Sequence, residues 1–228
     1  MVELDYPALW RAPMETDPFP YVVVPHFVPP DSLRAVLAYL PPLGKRGSFP
    51  PDAVKLGPAA QALMREMEGT RLREVIAERF GLDIADAPTM VTLRAWTGER
   101  DGQIHCDSTA KRVTVLLYLN AEPQAFLGHE GCLRLLRGPH DLETYAVEIP
   151  PVNGTLLVFP NTPQAWHGHK PFVGQRYSVQ LNYMTTDEKA RSELRRHRIS
   201  AFVKRLTRAA RPQGVTAGST AAAPRSSS

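Results

Sequence analysis

Cysteine is nearly missing from this chain. Of 228 residues only Cys106 and Cys132 are cysteines, so no disulfide framework is expected and the chain suits a reducing cytoplasm. Long apolar runs are missing too: none approaches the roughly 18 residues of a membrane span. The opening MVELDYPALWRAPMETDPFP lacks a basic head followed by an apolar stretch, which speaks against a secretory signal. No internal repeat is visible, so a solenoid or propeller is not expected. Excess positive charge is missing from most of the chain. The formal net charge is +4, yet Asp187–Arg211 alone holds nine Lys/Arg against three Asp/Glu; with Arg225 this leaves residues 1–186 at −3. A nucleic-acid role would therefore rest on one segment, and no nucleic-acid partner is expected.

What is present points to one globular domain. Apolar residues make up 43%, enough for a sizeable core, and 22 prolines favour many short elements over a long bundle. The domain is expected over 1–208. Residues 209–228 are poor in bulky apolar groups and read as a disordered tail.

Residues 1–18 read as an irregular lead-in, and YVVV (Tyr21–Val24) as a strand ending at Pro25. PPDSLRAVLAYL starts a helix, with Asp31 or Ser32 as N-cap. Two more helices fit Ala59–Met67 and Leu72–Phe80, the second capped by Gly81. From Met90 the period changes. MVTLRAW, RVTVLLYL, CLRLLR, YAVEI, TLLVF and RYSVQLNY are short strand-like runs between turns, the pattern of an antiparallel sandwich or barrel. Asn153-Gly154 predicts a two-residue hairpin turn between YAVEI and TLLVF. Beyond Met184 the helical period returns in DEKARSELRRHRISAFVKRL, with Leu194, Ile199, Phe202, Val203 and Leu206 near one face. This basic C-terminal helix has three open uses: packing on the domain, a dimer contact, or an anionic surface.

The chemistry lies between Gln103 and Met184. In an extended chain His105 and Asp107 face the same way while Cys106 faces elsewhere. A second histidine, His167, arrives on a later segment, and Arg176 follows it at a distance one hairpin can span. Two histidines and a carboxylate can occupy one face of an octahedral metal and leave the opposite positions open, the arrangement of non-haem Fe(II) oxygenases. His169 competes with His167 as the distal ligand, since the two share a face. His26, His129, His140 and His197 have no partner at ligand spacing and read as surface or capping residues.

Three segments carry a family resemblance. RVTVLLYLN (Arg112–Asn120), EGCLRLL (Glu130–Leu136) and WHGHKPFVGQRYSV (Trp166–Val179) resemble the double-stranded β-helix of the Fe(II)/2-oxoglutarate-dependent dioxygenases, in particular the prolyl-4-hydroxylase-like branch. The resemblance spans about Thr89 to Tyr183. It implies an α+β fold with a jelly-roll, cupin-like core over about 89–185, N-terminal support helices and the C-terminal helix. It also implies Fe(II) bound by His105, Asp107 and His167, with 2-oxoglutarate as co-substrate and ascorbate as a candidate reductant. Arg176 would bind the far carboxylate of 2-oxoglutarate through its permanently charged planar fork. Tyr118 would bond the same carboxylate, and Thr114 and Ser178, on inward faces, could add hydroxyl contacts.

The sequence also departs from that branch. Glu130 replaces a glycine. Arg94 stands where tyrosine is common, and Asn182 where a bulky aromatic is typical, which puts a prolyl-peptide substrate in doubt. Arg94 is open to two readings, a holder of an anionic substrate group or a member of an ordinary ion pair. The nucleic-acid-dealkylating branch carries a second arginine at the place of Asn182, which argues against that branch. The implied activity is hydroxylation of an amino-acid residue in a protein, a metabolite or a glycan component, with O2 consumed and succinate and CO2 released. Two rivals keep the fold: a non-catalytic ligand-binding protein, and a cupin-type enzyme using another metal.

Overall fold

The computed structural model describes residues 2–41 and 46–209, without the side chains of 201–209. Most of the tail expected over 209–228 lies outside the described residues.

A short helix, α1 (Tyr6–Arg11), stands where the lead-in reads as irregular. At six residues it is too short to show a period. It forms because Asp5 Oδ1 accepts the Ala8 N–H and because Tyr6 and Leu9 are buried. Strand β1 (Val22–Val24) and helices α2 (Pro30–Leu37), α3 (Pro58–Glu68) and α4 (Thr70–Phe80) follow. Gly81 closes α4 in the left-handed conformation at φ 61°, with its N–H on the last-turn carbonyls of Ala77 and Glu78.

The remaining strands are β2 (Thr89–Thr97), β3 (Lys111–Tyr118), β4 (Leu133–Leu136), β5 (Tyr145–Ile149), β6 (Leu156–Pro160), β7 (His167–Gly168) and β8 (Gly174–Met184), and helix α5 (Glu188–Ala209) ends the described chain. They form two antiparallel sheets: five strands in the order β1-β6-β3-β8-β2, and three in the order β5-β4-β7. The sheets pack on one another through a cluster that joins Tyr118, Leu157 and Phe159 to Leu133, Leu135 and Ile149.

The other face of the five-stranded sheet is closed by the helices. Val91, Leu93, Val115, Leu117, Val179 and Leu181 form one cluster with Leu63, Met67, Leu72 and Ile76. Strand alternation produces this division directly: odd positions of β2, β3 and β8 pack outward, and even positions turn inward.

The Asn153-Gly154 turn forms, with φ 55° and 67°, but it does not make the predicted hairpin. β5 pairs with β4 in the small sheet, while β6 pairs with β1 and β3 in the large one. The turn is held from outside: Asn153 N–H donates to Asn120 O, and Val28 N–H to Gly154 O. Local turn chemistry sets the reversal; pairing across the sandwich sends the second strand into the other sheet. On α5, Ala190 is buried and Leu194 packs beside it, whereas Ile199 is exposed rather than part of a packed stripe.

Candidate metal centre

His105 and His167 are brought together by their backbones. Each N–H donates to the other's carbonyl at 3.0 Å, an antiparallel bridge that sets the two rings 4.3 Å apart. Asp107 joins them, and the ligand atoms of His105, Asp107 and His167 lie within 4.8 Å of one another, so the three could hold a metal ion. His169 lines the same cavity but stands outside this trio.

The donor set is prepared for a cation. His105 Nδ1 sits 2.8 Å from Gln103 O, and His167 Nδ1 sits 2.9 Å from Ala165 O. With Nδ1 carrying the proton, each Nε2 presents its lone pair to the centre. Burial, followed by neighbouring His105, lowers the His167 pKa to about 4, so it is neutral and able to ligate at physiological pH. Asp107 is ionised. Burial pushes its pKa up, but Lys111, His167 and hydrogen bonds from Lys111 and Thr114 together hold it below the ordinary value. Two nitrogens and one carboxylate oxygen suit Fe(II) among other divalent metals.

Two of these contacts reassign residues. Lys111 Nζ lies 2.5 Å from Asp107 Oδ1, with both side chains largely buried. Sequence reading passed over Lys111; its spacing of four from Asp107 was the available signal. Thr114 Oγ1, on the expected inward face, donates to Asp107 Oδ2 and also meets Asn182 Oδ1 at 3.2 Å. The nearest partner of Thr114 is thus the metal-site carboxylate.

Deeper in, the polar groups are short of partners. Arg176 is 6% exposed and donates through Nε to Gly131 O at 2.8 Å, while its buried Nη2 has no partner. The Tyr118 hydroxyl sits beside the Arg176 guanidinium but, like the Thr97 hydroxyl, is buried without a hydrogen bond of normal geometry among the described residues. The Arg176 guanidinium lies 5.3 Å from the Tyr118 ring centroid. Ser178 pairs with Tyr118 across β3 and β8 and is likewise buried. Thr97, Tyr118, Arg176 and Ser178 line one cavity with the metal trio.

Thr97 escaped sequence reading because simple alternation from Arg94 turns it away. The β2–β8 register shifts between Arg94 and Trp96, and this irregularity re-aims the strand end into the cavity. Gly102 is needed at the rim. Its φ is +89°, and a Cβ there would come within 2.4 Å of His169 Nδ1.

Residues 92–184 match the family model described as the 2OG-Fe(II) oxygenase superfamily. No curated protein matches the chain. Among solved structures, a prolyl-4-hydroxylase from Pseudomonas putida is 21% identical, with a TM-score of 0.52 over 73% of this chain and 93% of its own. A prolyl 4-hydroxylase from Phytophthora capsici is 18% identical, with a TM-score of 0.50 over 82% of this chain and 68% of its own. These likenesses carry the fold. Members of the family use Fe(II) and 2-oxoglutarate. The matched stretch, residues 92–184, holds the whole trio, and over it the chain is similar to the 2OG-Fe(II) oxygenase superfamily.

Proposed function

We propose that the protein hydroxylates a substrate at an Fe(II) ion held by His105, Asp107 and His167, within a double-stranded β-helix core. The observation that carries this reading is the set of orphaned polar atoms. Arg176 Nη2, Tyr118 Oη and Thr97 Oγ1 are buried without partners, and all three residues line the cavity beside the trio. Leaving a buried polar group unpaired costs roughly 1–3 kcal/mol. A carboxylate bound in the cavity would supply acceptors for such donors and offset that cost. The far carboxylate of 2-oxoglutarate has that chemistry, and its keto-acid end would face the metal.

When bound, Fe(II) and 2-oxoglutarate supply the oxidising chemistry by which O2 and 2-oxoglutarate give succinate, CO2 and a hydroxylated substrate. The chain's own residues do the rest. Arg176 neutralises and orients the co-substrate carboxylate, with Tyr118, Thr97 and Ser178 completing its surroundings. Lys111 and Thr114 hold the Asp107 carboxylate in place and ionised. The carbonyls of Gln103 and Ala165 fix the tautomers of His105 and His167. Leu116 and Leu133 help line the cavity with apolar surface that limits water around the reacting atoms. Both cysteines are free, which supports a reducing, cytoplasmic setting.

Anaerobic titration with Fe(II) and then 2-oxoglutarate tests the reading. A visible charge-transfer band in the wild type that is missing in Asp107→Ala is the expected result. A folded, iron-loaded wild type without the band would remove the 2-oxoglutarate role of Arg176 and Tyr118.

A further inference from the structure

The cavity holds more positive charge than iron and 2-oxoglutarate use. Its charged lining residues are Arg94, Lys111 and Arg176 against Asp101 and Asp107. The lining therefore carries a positive surplus, which Arg46, the partner of Asp101, enlarges. A divalent metal adds two charges and the 2-oxoglutarate dianion removes two, so the surplus survives loading.

Within that surplus one residue has no assigned partner. Asp101 is occupied: it accepts from Arg46 Nε at 2.9 Å and Arg46 Nη2 at 2.8 Å, and from the Gly98 N–H at 2.8 Å. Asp107 is occupied by Lys111 and Thr114. Arg176 is anchored on Gly131 and aimed at the co-substrate carboxylate. Arg94 makes no side-chain hydrogen bond or ion pair among the described residues.

Arg94 belongs to the site by its position. It lies directly opposite Ser178 on β8, which lies opposite Tyr118 on β3, so the three form one row across the inward face. The side chain is exposed to solvent while it lines the cavity. Burial is the largest influence lowering its pKa, and the charge of Arg176 is the next. An unpaired guanidinium that feels the charge of a second cation is less favourable than one that faces an anion. A bound anion would remove that cost, and the planar fork suits a carboxylate or a phosphate.

The approach to the cavity has the same sign. Helix α5 crosses from the loop beside Asp107 to β2, tied by Ser108 to Glu193 at 2.6 Å and by Thr92 to His197 at 3.2 Å. Along that path it exposes Arg191, Arg195, Arg196 and Arg198, which would steer an anion inward.

We propose that Arg94 is a specificity-determining residue that binds an anionic group of the substrate, so that the hydroxylated compound is a small carboxylic or phosphorylated acid and not an uncharged prolyl peptide. The inference rests on the oxygenase reading above.

The experiment loads the full-length protein with Mn(II) and saturating 2-oxoglutarate. Sodium acetate and, separately, inorganic phosphate are then titrated by calorimetry at matched ionic strength, into wild type, Arg94→Met and Arg94→Lys. The wild type should bind one further anion, Arg94→Met should bind it at least tenfold more weakly, and Arg94→Lys should fall between. Preference for acetate assigns a carboxylate group; preference for phosphate assigns a phosphorylated one. No further anion in the wild type, or equal affinity in Arg94→Met, overturns the proposal. A prolyl peptide that raises succinate formation equally in wild type and Arg94→Met overturns it as well. If 2-oxoglutarate fails to bind in the first step, the oxygenase reading fails, and the anion titrations of the Mn(II)-loaded proteins still decide the role of Arg94. Arg94→Lys and thermal melts separate loss of binding from loss of fold.

Discussion

The two faces of the five-stranded sheet come from the same strands and do opposite work. Outward, Val91, Leu93, Val115, Leu117, Val179 and Leu181 are at most 4% exposed and are sealed under the helices. Inward, the alternate residues Arg94, Thr114, Tyr118, Ser178, Gln180 and Asn182 are polar. The outer side chains form one apolar cluster with the helices. The inner face leaves hydroxyls and a guanidinium nitrogen without partners. The contrast teaches that stability is concentrated on one face, which lets the other carry unpaired polar groups for ligands.

The largest effect is expected at the centre of the inner face. Asp107→Ala should reduce metal-dependent succinate formation to background, and Asp107→Asn, which keeps the shape, should not restore it. Arg176→Leu comes next. Truncating one member of a buried charged pair costs roughly 2–5 kcal/mol, so the 2-oxoglutarate requirement should rise on the order of a hundredfold or more, with Fe(II) binding little changed. A similar energy on the outer face should appear as stability instead. Leu117→Ala should lose roughly 2–5 kcal/mol in urea unfolding, while the folded variant retains its affinity for 2-oxoglutarate. A Leu117→Ala protein that keeps its stability but loses 2-oxoglutarate would erase the distinction between the faces.

Two smaller effects sharpen it. Burial first, then Arg176, lowers the His169 pKa to about 4. Its unfolded value is about 6.5, so as pH falls from 6.5 toward 4 the unfolded chain takes up the proton first and stability drops. The metal-free protein should therefore weaken across that window, and His169→Gln should remove part of the slope, on the order of 3 kcal/mol at most. Urea unfolding at pH 7.5 and pH 5 would read this, with His167 contributing to the slope that remains. Tyr118→Phe is the mildest test. It should weaken 2-oxoglutarate by about tenfold, the loss of one hydrogen bond to a charged group. It should not lower the ligand-free melting temperature, because the hydroxyl it removes has no partner there.

Much of this contrast was readable in the sequence, because a strand's period of two is a local property. The inward placement of Thr114 and Ser178 follows from it, as do the helices over 58–68 and 70–80 and the left-handed cap at Gly81. Where the sequence misled, a partner far along the chain decided. Asn153-Gly154 makes a turn, but the strands after and before it find different sheets. Thr97 points inward because the register against β8 slips, and α1 forms because Phe27 and its neighbours bury Tyr6 and Leu9.

By itself the sequence determined the inventory: two histidines and an aspartate able to bind a metal, an arginine for a carboxylate, and the alternation that sorts each strand into an apolar and a polar face. Only the tertiary structure decided the meetings. His105 reaches His167 through a backbone bridge between distant segments, Lys111 and Thr114 close on Asp107, and Arg94 lines the same cavity without a side-chain hydrogen bond or ion pair among the described residues. The reason is physical: side-chain direction along a strand is set by the residue's own backbone, whereas which side chains face one another is set by strand pairing, which no local pattern encodes.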